Sequence, residues 1–486
     1  MTELARAAVD TVTELRIGVA ARPGAAVGVL VDGADRIRRR SERFGTGASP
    51  VAEVVCALAG AASGPVGRVV VSVPVPADPR RLLGRMCRVG ALRIGAPATS
   101  SVPPFTGWPT PLVERVRGPI ALVRGGHEYD GAELAPLDLD AVRGFGDRCR
   151  ATGVAAVAVN GINAQLSPSH ELAAAGLLGD LLGPAVPIIT GHEVGGAGLL
   201  ERENTALLDA GLAPSAHRFT EELGRSLADG GVDADLYLLG GDGTVLPADR
   251  VARHPLHLLD SAHGAARSGA AHLTGRRTLV VAQRRGGRVL VSGQLDGLPV
   301  RSGLPLEIGS VRTSLRAVRR EEFPRGPGPA GASRLANAVD RLGGGLAAAP
   351  LVLVGVGADG LAPMSGRPVL VLPDDAIPPA DPAEAGGAAL SEGAVVAAFG
   401  AASGEAAGTV DRLFWFGAGG VAGGLAECVA TARRLASEAA IRSGADPARL
   451  RIGEVREELM TYVPVPGVRL RVTVTAPLLG TARPDR

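Results

Sequence analysis

Apolar and polar positions along this chain fall into short blocks. Residues 15–19 and 26–31 are apolar runs around Ala20-Ala21-Arg22-Pro23-Gly24, a turn-forming string, and predict two strands joined as a hairpin. Ser49-Pro50 places an N-cap and an N1 proline before an apolar helix that reaches about residue 58. Residues 68–73 and 91–94 predict strands, and Pro79 opens a basic helix to residue 85. Residues 101–111 are loop by their prolines. The order then becomes regular: strand 120–123, helix 138–152, strand 154–159, helix 167–182, strand 187–190, a helical stretch 199–228 that Pro214 interrupts, and strand 236–239. This alternation predicts βα units and a largely parallel sheet.

The second half begins like the first. Residues 279–282 and 288–291 predict a hairpin around Arg284-Arg285-Gly286-Gly287, and the two hairpin openings hint at related halves. Residues 323–333 form a Pro/Gly linker, 335–342 a helix and 350–354 an apolar strand. Residues 374–387 read as a loop, and 386–408 as a buried helix with loops, since Glu392, Glu405 and several glycines rule against a membrane span. An amphipathic helix at 422–443 and alternating strands at 450–455 and 468–475 complete the chain.

Composition narrows the chemistry. Hydrophobic residues make up 46% of the 486, yet aromatics only 3%, so Ala, Val and Leu supply the core. Net charge is +2, from 51 basic and 49 acidic residues, which speaks against nucleic-acid or membrane binding driven by global charge. All the basic residues are arginine, so Walker-type ATPases, protein kinases and pyridoxal enzymes, which need a lysine, are excluded. Cys56, Cys87, Cys149 and Cys428 lack zinc-ligand spacing and read as buried free thiols in a reducing, cytoplasmic compartment.

The densest polar signals lie between residues 187 and 273. Gly240-Gly241-Asp242-Gly243-Thr244 follows a strand, and two readings stand side by side. Its glycines could approach a phosphate while Asp242 holds a metal or ribose hydroxyl, or it is a Gly-Asp-Gly turn with Thr244 capping the next helix. Its GGDGT string resembles a loop of lipid and dinucleotide kinases. Gly355-Val356-Gly357-Ala358-Asp359-Gly360 matches G-x-G-x-x-G, but the segment after it is too short and too rich in proline and glycine for a crossover helix. His254, His257 and His263 are close together, but Pro255 breaks the ligand spacing; no metal site is expected. Arg202-Glu203-Asn204 opens a helix, as a binding site or as a solvated helix start.

The order and spacing of several strings resemble the hydantoinase/oxoprolinase family in its shorter, single-chain form. They are LRIGAPATSSVPPFTGWP (92–109), RGGHEYDG (124–131), GHEVGGAGLLEREN (191–204), GGDGT, LPLEIGSVRTSLR (304–316), LVLVGVGADGLAP (351–363) and the tail from Gly444. The resemblance implies an α/β, actin/sugar-kinase-like fold: a duplicated, ribonuclease-H-like architecture with two lobes around a nucleotide cleft. It implies an N-terminal part to residue 190, a central part 191–322 and a C-terminal part 323–486. It implies an ATP/Mg2+-dependent hydrolase of small cyclic amides such as 5-oxoproline or hydantoins, with a partner subunit of the family or a homo-oligomer.

On this resemblance Asp242, His192 and Glu193 carry catalysis. Gly241, Gly243, Thr244, Gly286, Gly287, Gly355, Gly357 and Ala358 bind the cofactor, and Arg202, Glu203 and Asn204 the substrate. The family's acidic hairpin, DxGGTxTD, has lost both carboxylates here, at Ala20 and Val27. The second hairpin, Gln283 to Leu290, has lost them too, and the SGPxxS-type loop reads Ser261-Ala262-His263-Gly264. These losses imply a weakened or lost ATPase, or a silent subunit or binding protein of a related complex.

Overall fold

The computed structural model describes residues 14–73, 75, 79–285, 287–324, 328–343, 345–355, 368–372, 393–415, 424–460 and 466–480. The chain opens with β1 (Leu15–Arg22), β2 (Ala25–Val31) and β3 (Ile37–Phe44), then α1 (Ser49–Gly60) and β4 (Val66–Ser72). The β1–β2 turn is the two residues Pro23-Gly24, and the positive φ of Gly24 (82°) is what the turn requires. There follow α2 (Pro79–Leu83), β5 (Val89–Ala96), α3 (Thr110–Val116), β6 (Arg117–Arg124), α4 (Leu139–Thr152), β7 (Ala156–Gly161), α5 (Ser169–Leu182) and β8 (Ile188–Thr190). Strands β6-β5-β7-β8 make a four-stranded, wholly parallel sheet, as the alternation predicted.

The short α6 (Gly191–Val194) leads into α7 (Leu199–Asp229), then β9 (Asp235–Leu239), β10 (Thr244–Pro247), α8 (Ala248–Arg253) and α9 (Ser261–Thr274). The expected break at Pro214 is absent: α7 runs through it. Proline cannot donate to the carbonyl four residues back and crowds that turn. Cys87, from outside the helix, supplies donors instead: its N–H reaches Gly211 O at 2.9 Å and its thiol Ala210 O at 3.7 Å. Burial pushes that thiol's pKa up to about 11, so it stays protonated to donate.

The second half contains β11 (Leu279–Arg285), β12 (Arg288–Leu295), β13 (Leu298–Pro299), β14 (Arg301–Ile308), β15 (Val311–Val318), β16 (Arg320–Pro324), α10 (Gly328–Leu342), β17 (Leu351–Val354) and β18 (Val369–Leu372). The stretch read as a Pro/Gly linker is thus the end of a strand and the start of a helix. Its apolar Phe323 pairs with Val289, and α10 buries Leu335, Ala338, Val339 and Leu342 against the sheet. Last come α11 (Ala394–Ala402), β19 (Glu405–Trp415), α12 (Gly424–Arg442), β20 (Arg451–Met460) and β21 (Gly467–Pro477). The loop expected at 374–387 lies outside the described residues.

One large sheet has the order β20-β21-β19-β10-β9-β4-β1-β2-β3 and draws strands from all three parts of the chain. It is mixed rather than largely parallel, because its hairpins are antiparallel while β1, β4 and β9 run parallel. A second sheet has the order β13-β12-β11-β17-β18, with β16 also on β12. Both sheets contain one arrangement: an antiparallel pair whose first strand lies parallel to a later strand, which lies parallel to another.

Helices α9 and α11 join the sheets. Every residue of α11 is buried, and one hydrophobic cluster runs from Ala20, Val27 and Val70 through both helices to Leu279, Val281, Val352 and Val354. Their crossing depends on missing side chains. A Cβ at Gly269 would lie 2.0 Å from Val396 O, and one at Gly400 1.9 Å from Ala265 O. On its other side α11 presses on β1, where a Cβ at Gly18 would lie 2.0 Å from Ala398 O. These neighbours are backbone atoms that cannot swing away.

Gly400→Ala is therefore expected to lower stability by about 3 kcal/mol or more, read as a drop in urea midpoint. Gly176→Ala, on exposed α5 with nothing within 4 Å of its new methyl, is expected to be neutral or to stabilise by up to about 1 kcal/mol. Equal effects of the two would remove the crossing as the cause.

Candidate functional site

The GGDGT loop connects β9 to β10. Thr244 begins β10 rather than capping a helix, because its backbone pairs with β19 and Gly240 N–H donates to Thr244 O at 2.7 Å. The glycines serve this chain's own backbone. A Cβ at Gly241 would sit 1.7 Å from Leu259 O, and one at Gly264 2.7 Å from Gly240 O. Gly243 holds φ at 87°. The loop is thus pressed against the N-terminal turn of α9, and Gly241 N–H donates to His257 O at 2.8 Å.

Asp242 is the electrostatic centre of the loop. Its Oδ1 accepts from Thr244 N–H (3.0 Å) and Thr244 Oγ1 (2.7 Å), and its Oδ2 from Arg301 Nη2 (2.9 Å). Burial pushes its pKa up, but Arg301 and the two Thr244 bonds outweigh this and bring it down to about 2. Beside it His257 is held below the ordinary histidine range, chiefly by burial. The buried Arg267 of α9 donates to Asp242 O.

A cavity of about 490 Å³ opens over this loop. Glu193, Gly241, Asp242, Thr244 and His257 all face it, so the structure brings together three chain segments that the sequence pattern singled out. Among the described residues, each carboxylate on its wall is tied to an arginine: Glu193 to Arg253 (2.7 Å), Asp242 to Arg301 (2.9 Å), Asp411 to Arg471 (2.9 Å), Glu454 to Arg316 (3.3 Å), and Asp260 to Arg320. The arginine partners were not singled out in the sequence. Each lies 59 or more residues along the chain from its carboxylate, and no spacing rule connects Asp242 with Arg301.

His263, at the start of α9, is also on the wall and completes a neutral network. Its Nδ1 donates to Gln283 Oε1 at 2.8 Å, and its Nε2 accepts from Ser292 Oγ at 2.7 Å. Burial, then the charge of Arg267, brings its pKa down to about 3. Gln283 stands where the second hairpin would carry a carboxylate. Ala20 and Val27, at the matching places of the first hairpin, face each other across β1 and β2 and are buried.

The other expected site residues lie elsewhere. His192 Nδ1 is 2.7 Å from Glu171 Oε2, and the buried Glu171 also accepts from Gly161 N–H. Arg202 donates to Gly161 O (3.0 Å) and Ala197 O (2.9 Å). Glu203 forms a buried pair with Arg93, whose Nε lies 2.8 Å from its Oε1. Asn204 accepts from Trp108 Nε1 (2.8 Å) and donates to Arg312 O (2.9 Å). These four residues tie α6 and α7 to the parallel sheet and to β15, and line neither of the two cavities. Gly243 lines a second, smaller cavity, while Gly287 and Gly355 line neither. Gly286, Gly357 and Ala358 lie outside the described residues. Among the described residues no cluster of His, Cys, Asp or Glu has the makings of a metal site.

Two measurements probe this electrostatic arrangement. Asp242 has a folded pKa below its unfolded value of about 3.9, so its stabilising effect is present above that value and is lost as pH falls toward 2. Asp242→Asn is expected to cost about 2 kcal/mol at pH 7 in urea unfolding, the gap closing as pH drops from about 4 to about 2. A gap independent of pH would remove the charge as its source. His263 is expected to show flat imidazole chemical shifts from about pH 5 to 8 in NMR. A midpoint in that window would contradict the neutral network.

Residues 105–181, from the loop before α3 through α5, match the hydantoinase/oxoprolinase N-terminal region. No curated protein matches the sequence. The fold is similar to the ATP-dependent caprolactamase from Pseudomonas jessenii, with a TM-score of 0.71 at 14% identity over 95% of this chain and 87% of that one. It is also similar to acetone carboxylase in a nucleotide-free structure, with a TM-score of 0.63 at 12% identity over 96% of this chain and 88% of the other. Residues 105–181 are thus similar to the N-terminal region of the hydantoinase/oxoprolinase family, and the whole chain shares its fold with the two ATP-dependent enzymes.

Proposed function

We propose that this chain keeps the two-lobed, actin/sugar-kinase-like architecture of an ATP-dependent hydrolase of small cyclic amides but has lost Mg-ATP hydrolysis, and acts as a silent subunit or ligand-binding relative. The repeated strand arrangement in the two sheets, with α9 and α11 between them, supports a duplicated ribonuclease-H-like fold. The two similar structures are of proteins described as ATP-dependent, which supports descent from a nucleotide-using ancestor.

The observation that carries the loss is the state of the cleft carboxylates. Magnesium is a hard cation that needs oxygen ligands and holds several waters beside the phosphates. Ala20, Val27, Gln283 and Leu290 occupy the four hairpin places where carboxylates would stand. The five carboxylates that do reach the cavity each carry an arginine partner, whose removal would leave a charge uncompensated. The residues present do not fit a Mg-nucleotide. With Arg316, Arg320 and Arg471 each paired to a carboxylate, the wall is suited to a small polar ligand.

The four free thiols, Cys56, Cys87, Cys149 and Cys428, support a reducing, cytoplasmic setting. Among the described residues no helix is long and apolar enough to cross a membrane. A partner subunit of the same family, or a second copy of this chain, is the partner class this reading favours.

Calorimetry of the purified chain with Mg-ATP, followed by ATP turnover with 5-oxoproline and hydantoin, tests the proposal. Neither saturable Mg-dependent heat nor turnover is expected. Micromolar binding accompanied by turnover would overturn it, and Asp242→Ala would then show whether the GGDGT loop takes part.

A further inference from the structure

The smaller cavity, of about 210 Å³, lies against α9 and shares Asp242 and Thr244 of the GGDGT loop with the large one. Its polar wall includes Arg267, Ser268, Arg276, Arg277, Glu405 and Thr475. Arg267 is 1% exposed, yet only Nη2 of its guanidinium has a protein acceptor, Asp242 O. Its Nε and Nη1 are buried without one. A buried guanidinium with two unmatched nitrogens is a costly arrangement unless something accepts from it. Burial brings its pKa down to about 10 against the pull of Asp242, so it is charged at neutral pH.

Nothing else on the wall balances that charge. The two carboxylates there are committed elsewhere, Asp242 to Arg301 and Glu405 to Arg451. Arg276 and Arg277 stand exposed at the end of α9 and add positive charge at the mouth. The volume is below the range of roughly 300–1,000 Å³ usual for drug-sized ligands, which excludes a nucleotide and suits an anion of a few heavy atoms.

We infer that this cavity is a binding site for a small oxyanion, a phosphate or a short carboxylate, held by Arg267 from inside and by Arg276 at its mouth. A planar guanidinium offers paired N–H donors that match either group. Because Arg267 also holds Asp242 O, the occupant bears on the same loop that lines the large cavity.

Calorimetric titration of the full chain with inorganic phosphate and, separately, succinate tests the site. Saturable binding of one of them is expected, and which one binds decides between phosphate and carboxylate. Arg276→Ala, a surface change, should weaken it about ten-fold, and Arg267→Gln should abolish it. Arg316→Ala, in the large cavity, should leave affinity unchanged. The inference is overturned if neither anion binds, if Arg276→Ala binds as well as the parent, or if Arg316→Ala removes binding. Should Arg267→Gln fail to fold, the Arg276 and Arg316 variants decide alone.

Discussion

The crossing of α9 and α11 holds this molecule together. Two helices approach backbone to backbone only where side chains are absent, and Gly269 and Gly400 provide that at the contact. Gly18 extends the same close approach to the central strand of the large sheet. The reward is dispersion between well-packed main-chain and small side-chain atoms, which fits a chain poor in aromatics and rich in alanine and valine. The α9 part of the cavity walls is placed by this contact. Ser261, His263 and Arg267 are on α9, and the GGDGT loop is pressed onto its first turn.

That dependence changes the meaning of the glycine-rich loop. Glycines before and after an aspartate invite a phosphate-binding reading, since they let a backbone come close to a ligand. Here the backbone that comes close is Leu259–Gly264 of the same chain. The aspartate likewise serves the loop first, closing a turn on Thr244, and then takes an arginine from β14. A loop whose donors and acceptors are satisfied internally is a stiff structural joint. Its remaining freedom to act on a ligand comes through Arg301, on its side chain, and Arg267, on its backbone.

Much of the fold was legible because periodicity and punctuation agree with it. Both hairpins fell where apolar runs flank turn residues, α4 begins after Asp138, whose side chain accepts from Ala141 N–H, and the buried helix within 386–408 is α11. What was not legible depends on distant parts of the chain. Pro214 reads as a break because nothing nearby announces that Cys87 will supply donors. The strands β14 and β15 are half exposed and charged, so no apolar pattern marks them. Of the site, Asp242, Thr244 and Glu193 were legible as polar residues in glycine-rich settings. Their arginine partners were not, since an ion pair between β14 and a loop some sixty residues earlier leaves no local trace. His192 and Arg202 to Asn204 stood out for the same density of polar groups, but their partners are buried carbonyls and carboxylates of neighbouring elements.

The use of arginine alone as the basic residue gives these observations a common physical root. A guanidinium stays charged when buried and can satisfy two acceptors at once, so it suits both a closed ion pair and an internal anion site. Around the large cavity it meets a carboxylate each time, and the charges cancel locally. At the second hairpin, charge is avoided altogether: a neutral His263 bridges Gln283 and Ser292, and the field of Arg267 helps keep that imidazole unprotonated. Arg267 is the exception to both solutions. It has no carboxylate in direct ion pair among the described residues, and with Nε and Nη1 buried and unmatched its surroundings call for an anion from outside the chain.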